Sequence, residues 1–254
     1  MKAVLAAVTA LFLLSPICAS AGVINDTYWG GDAHGYGDII GSADPYDVIS
    51  ADVERSGTML TVDIATRFAG HAREDAWAAT NGIGYGDVFL ASAWTPSGTD
   101  SQHSGDNAAN GTVWTYAFAL DNRWSNQGGA FKLVALTGPR NADNVLNSET
   151  FLSCALYSQC YYRDGQATAA NLGAPGVIDT GLSGTWTVDP DAELKFKIDL
   201  AGSALANYST IALHWGETCQ NDVIEGSTKV PEPASLALFG LGLAAFAARR
   251  KRAR

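Results

Sequence analysis

What this chain lacks narrows it first. Only 16 of its 254 residues are basic, against 26 acidic ones, and charged residues make up just 17%. Six of the basic residues (Lys2, Arg249, Arg250, Lys251, Arg252 and Arg254) sit at the two extremes. That leaves ten against the 26 acids, a net charge near −16. A phosphate-binding face needs clustered Lys and Arg, so nucleic acid is excluded as a partner, as is charge-driven adhesion to anionic lipid. Methionine is nearly absent, with 2 residues, while glycine is abundant, with 27. No stretch between residues 25 and 225 sustains a helical period, and no internal repeat occurs. The catalytic signatures are missing too. There is no Gly-x-Ser-x-Gly elbow, no phosphate loop and no His-Glu-x-x-His. The four histidines (His34, His71, His103 and His214) show no short ligand spacing. A non-catalytic protein is expected.

What is present is a set of short period-two segments. Leu60, Val62 and Ile64 alternate with Thr61 and Asp63, and Leu194, Phe196 and Ile198 alternate with charged neighbours. Trp114 to Leu120 and Ile211 to Trp215 repeat the pattern. Such a period puts one set of side chains on each face of a strand. Shorter apolar runs at 48–49, 88–91, 131–136 and 186–188 add candidates, and Gly, Pro, Asn and Asp clusters separate them. Many short strands between turns predict an all-β, two-layer β-sandwich, jelly-roll-like in kind. Segments 97–111 and 138–176 read as long exposed loops. His214, alternating with Leu213 and Trp215, is expected on a solvent face. Residues 225–229 (Glu-Gly-Ser-Thr-Lys) read as a linker.

Both ends look like processing segments. Met1-Lys2, an apolar run from Ala3 to Leu14, and Ala19-Ser20-Ala21 form the charged start, apolar middle and small-residue exit of a secretory signal peptide. At the other end, Val230-Pro231-Glu232-Pro233 is followed by 15 apolar residues, Ala234 to Ala248, and then by Arg249-Arg250-Lys251-Arg252. As a helix that stretch would span about 22 Å, short of a hydrocarbon core of about 30 Å. The basic cluster would stay cytoplasmic, with the upstream domain across the membrane. A weak, transient anchor in the inner membrane is expected.

The tripeptide Pro231-Glu232-Pro233, the short apolar helix and the Arg-rich end with Arg249 and Arg250 resemble the PEP-CTERM sorting signal. The resemblance covers residues 230–254 only. It implies processing by an exosortase, which removes the tail and releases or transfers the protein outside a Gram-negative, exopolysaccharide-making cell. Tyr28 to Gly41 and His214 to Gly226 are similar to segments bracketing ectodomains that carry such a tail. That likeness implies no activity. The chain then divides into a signal peptide (1–21), a sandwich ectodomain (22–226) and a linker plus sorting tail (227–254).

Export permits disulfides. Of the three cysteines left after signal removal, Cys154 and Cys160 are expected to pair, leaving Cys219 free or paired between chains. The alternative joins Cys219 to either loop cysteine. Acids cluster in Asp26 to Asp47 and again near Asp222, and first and last strands of a sandwich often lie side by side. A solvated acidic turn is the plainer reading. If calcium is held, Asp32, Asp38 and Asp222 are the candidate oxygen ligands. Trp77, Trp94 and Trp124 lie in loop-like segments and are the candidates for stacking on sugar faces, against the plainer reading that they pack under loops. The leading expectation is an exported surface or exopolysaccharide-matrix protein of the biofilm that binds polysaccharide. A secreted glycan hydrolase using paired carboxylates, or a structural coat component, are the rivals.

Overall fold

The computed structural model describes residues 22–31, 37–41, 43–153 and 161–230. Among these, twelve strands carry the fold: β1 (Gly22–Asn25), β2 (Val48–Ser56), β3 (Met59–Thr66), β4 (Val88–Ala91), β5 (Tyr116–Leu120), β6 (Gly128–Leu136), β7 (Val145–Asn147), β8 (Ala167–Ala170), β9 (Val177–Asp189), β10 (Glu193–Asp199), β11 (Thr210–Gly216) and β12 (Val223–Lys229). Ten of them form one antiparallel sheet in the order β1-β2-β3-β10-β9-β6-β5-β4-β11-β12, while β7 and β8 pair separately. Hairpins make most neighbours consecutive. Three joins, β3–β10, β9–β6 and β4–β11, bring distant segments together.

The big sheet curls until its edges approach, giving an all-β, nearly barrel-shaped body that fits a β-sandwich. Glycine permits the close approach of β1 to β12. A Cβ on Gly226 would lie 2.6 Å from Ile24 Cγ2, and one on Gly22 would lie 1.9 Å from Thr228 Oγ1. Both are below any normal contact, so side chains there would push the edges apart.

The inner core follows from the alternation. Leu60, Val62 and Ile64 of β3 face Ile198, Phe196 and Leu194 of β10 in register, and all six are buried. Trp186 of β9 stacks on Phe196 at 6.0 Å and 12°, and Phe118 stacks on Phe131 at 4.4 Å. A second apolar cluster lies on the opposite face of β4, β5 and β11. Phe89, Ala91, Trp114, Ala117, Ala119, Val134, Leu136, Ala167, Ala170 and Ala212 make it. Its many alanines are short, so the covering layer can sit close to the sheet. That layer is built from the described residues of the 138–176 connection, with its β7–β8 ladder.

Three expectations change accordingly. Residues 138–176 are not simply an exposed loop, since they contain β7 and β8 and bury Ser148, Arg163, Gln166 and Thr168. Residues 225–229 are not a linker. They complete β12, which pairs with β11 from Val223↔Gly216 to Lys229↔Thr210. His214 does not face solvent, because the second layer covers its side of β11 and leaves it 1% exposed.

Candidate functional site

Two polar clusters stand near the start of β12, one at Asp222 and one at Glu225, and an aromatic cavity lies on the surface. The first cluster is acidic. Asp26 follows β1, Asp38 lies in the described turn at 37–41, and Asp222 directly precedes β12. One backbone and one side-chain hydrogen bond hold the two distant segments together. Ile40 N–H donates to the Asn221 carbonyl at 2.8 Å, and Asn221 Nδ2 donates to the Ile40 carbonyl at 2.6 Å. The amides of Val48 (2.7 Å) and Val223 (2.8 Å) each donate to one Asp222 oxygen. Arg163 Nη2 donates to the Gly37 carbonyl at 2.7 Å and also to the Asp38 carbonyl. One carboxylate oxygen from each of Asp26, Asp38 and Asp222 lies within 4.8 Å of the others.

The electrostatics of this cluster are adverse. Burial first, then the charges of Asp222 and Asp38, push the Asp26 carboxyl far above the usual carboxylate range. Burial also raises Asp222, against the lowering effect of the Val48 amide. Asp38 is raised by burial and lowered by Arg163. Both oxygens of Asp26 are sealed from solvent without a hydrogen-bond partner. Glu217, 0% exposed, likewise has two unpartnered oxygens, and after burial the charge of Asp222 raises it most. An all-oxygen donor set of this kind suits a hard cation. Of the three sequence-expected ligands, Asp38 and Asp222 are brought together. Asp32 falls outside the described residues, and Asp26 completes the trio. Asp26 belongs to the same acid-rich segment, but only the closure of β1 against β12 singles it out.

The second cluster is centred on His214 and Glu225, side by side on β11 and β12. Glu225 Oε2 lies 2.9 Å from His214 Nδ1. Glu225 Oε1 accepts from Trp94 Nε1 at 2.8 Å and from the Thr112 hydroxyl at 3.4 Å. His214 Nε2 lies 2.7 Å from the Ala167 carbonyl. A carbonyl only accepts, so Nε2 carries a hydrogen and a further proton is shared between Nδ1 and Glu225. Nearby, the Tyr28 hydroxyl donates to Asp106 at 3.0 Å, and burial, then Glu225, push Asp106 up to about 6. Every polar atom of the His214–Glu225 pair is satisfied.

The tryptophans separate into different roles. Trp94 is half-buried against the second core and donates to Glu225, so its indole braces the fold. Trp77 is 65% exposed, its Nε1 held by Asp75 at 3.0 Å. Trp124 is half-buried and donates to the Gly82 carbonyl at 3.2 Å. It lines a cavity of about 250 Å³ with Thr80, Asn81, Phe151 and Ser153 among its neighbours. The Trp77 loop reaches that cavity, since Ser153 N–H donates to the Ala78 carbonyl at 2.8 Å. Cys219 is a buried free thiol, while the expected Cys154–Cys160 pair falls outside the described residues.

Residues 229–252 match the model of the PEP-CTERM protein-sorting motif. The chain carries a PEP-CTERM sorting signal. It is an exported protein, processed by an exosortase and sorted to the cell envelope or surface. Neither a curated protein nor a solved structure matches the chain. The tripeptide Pro231-Glu232-Pro233, the apolar run with the expected membrane segment, and Arg249 and Arg250 lie outside the described residues, as does the expected signal peptide. Among the described residues no helix is long and apolar enough to cross a membrane. The PEP-CTERM motif starts inside the folded body. Lys229 ends β12, and Val230 is buried with its N–H donating to the Ser209 carbonyl at 3.0 Å.

Proposed function

We propose that this exported protein is a non-catalytic component of the exopolysaccharide matrix of a Gram-negative cell, held transiently by its tail at the inner membrane and binding polysaccharide at the Trp124 cavity. The observation that carries the reading is the composition of that cavity. Two aromatic rings, Trp124 and Phe151, stand among the hydroxyls of Thr80, Thr150 and Ser153 and the amide of Asn81. Aromatic faces take the C–H faces of sugars, and neutral hydroxyls and amides take their hydroxyl groups. At about 250 Å³ the cavity suits one sugar ring, with exposed Trp77 offering a second contact beside it.

Among the described residues the lining contains no carboxylate and no histidine, which supports binding over hydrolysis. Glycoside hydrolysis needs two carboxyl groups facing a cleft, about 5–10 Å apart. Among the described residues, Asp26, Asp38 and Asp222 form a converging carboxylate group. There the Asp26 oxygens are sealed from solvent and Asp222 is fully buried, so neither faces an open cleft.

Retention of the protein on extracellular polysaccharide from its own producer tests the reading. Trp77→Ala and Trp124→Ala should each weaken retention about tenfold, roughly 1.4 kcal/mol, with Trp124→Phe recovering most of it. Failure of the unaltered protein to be retained on any polysaccharide of that cell would overturn the proposal.

A further inference from the structure

The seam where β1 meets the start of β12 combines three features that rarely coexist without a ligand. Three carboxylates converge there, one oxygen of each within 4.8 Å of the others. Both oxygens of Asp26 are shut off from water and make no hydrogen bond. Beside them Glu217, wholly buried, leaves two further oxygens without partners and feels the charge of Asp222. Leaving a buried carboxylate unpaired costs several kcal/mol in general, and buried polar groups are almost always satisfied.

We propose that Asp26, Asp38 and Asp222 bind one divalent hard cation, Ca²⁺ in the extracellular setting of this protein. Two oxygen ligands at about 2.4 Å from a single Ca²⁺ lie at most about 4.8 Å apart, and the three oxygens fall within that bound. Mg²⁺, at about 2.0–2.1 Å, needs a tighter set. The donors are oxygen only, which disfavours Zn²⁺ and copper. Arg163, donating to the Gly37 and Asp38 carbonyls, fixes the turn that presents Asp38. Asp222 is fixed by the amides of Val48 and Val223. Asp26 is left with both oxygens for the ion. The cation would tie the two edges of the curled sheet together, since its ligands come from both. This inference does not depend on the polysaccharide reading.

Thermal unfolding of the purified full chain is measured at pH 8 in EDTA, CaCl₂ or MgCl₂ at matched ionic strength, with calorimetric titration alongside. At a hundredfold excess of Ca²⁺ over its dissociation constant, the midpoint should rise by roughly 5–10 °C, and by less with Mg²⁺. Asp26→Asn keeps the shape and has no side-chain hydrogen bond to lose, so it should fold. It should abolish the Ca²⁺ response while unfolding at a higher temperature than the unaltered protein in EDTA. Asp143→Asn, at an exposed site, should keep the full response. Equal midpoints in Ca²⁺ and EDTA, or a response that survives Asp26→Asn, would overturn the site. A larger response to Mg²⁺ would overturn the assignment to Ca²⁺.

Discussion

The acidic seam and the His214–Glu225 pair both stand at strand β12, and Asp222 and Glu217 are as buried as His214 and Glu225, yet the two clusters differ in one respect. Glu225 receives Trp94, Thr112 and His214, and His214 in turn reaches the Ala167 carbonyl. The side-chain oxygens of Asp26 and Glu217 accept no hydrogen bond of normal geometry. A satisfied buried network holds a fold in one arrangement. An unsatisfied one stores a demand that a ligand can meet. Burial alone therefore does not separate structural from functional polar groups in this protein, whereas the accounting of partners does.

The largest effect should come from breaking the satisfied cluster. Glu225→Ala would strand His214 Nδ1 and the Trp94 N–H in the interior and should cost about 3–5 kcal/mol, read as a denaturant midpoint shift. Next is the edge contact. Gly226→Val would drive a side chain into Ile24, whose Cγ2 already lies 2.6 Å from an added Cβ, and should cost about 1–3 kcal/mol. Asp26→Asn should go the other way in EDTA, gaining about 1 kcal/mol by removing an unpartnered carboxyl whose ionisation burial and its acidic neighbours oppose. If it destabilised the metal-free protein by as much as Glu225→Ala does, the distinction between the two clusters would fail.

The smallest effect belongs to the surface. His71 meets Asp191 at 2.8 Å and Glu74 at 3.0 Å, and the Asp191 contact, opposed by partial burial, raises its pKa. The folded chain thus binds that proton more tightly than the unfolded one. Its contribution is present below the ordinary histidine pKa of about 6.5 and lost as pH rises through the raised value. His71→Gln should remove less than about 1 kcal/mol at pH 5 and nothing at pH 9. A constant difference across that range would contradict the assignment.

The sequence was readable where the signal is local. Leu60, Val62 and Ile64 and their partners in β10 declare strands by alternation, and the sorting signal declares itself by three adjoining elements. Where a face is covered by a distant segment, local pattern fails. Alternation correctly put His214 opposite Leu213 and Trp215, but it carries no information about the β7–β8 layer that dries that face. β12 looked like a linker because Glu-Gly-Ser-Thr-Lys is polar. Its one inward-pointing acid is in fact matched by a buried histidine on the neighbouring strand. Acids near both ends suggested a meeting of the two, yet the choice of Asp26 needed the register of the closed sheet. Because β12 runs to Lys229, only Val230 separates that strand from the PEP tripeptide. A Gly-Ser spacer inserted after Val230 should therefore speed tail removal, followed by the mass of the released protein. An unchanged rate would mean that the enzyme already reaches the tripeptide against the folded body.

The sharpest test of the contrast between the two clusters is anomalous X-ray diffraction from crystals of the exported protein grown in CaCl₂. One peak is expected about 2.3–2.6 Å from oxygens of Asp26, Asp38 and Asp222, and none beside His214 and Glu225. No peak at the seam under saturating Ca²⁺, with Asp26 still unpartnered, would contradict the account.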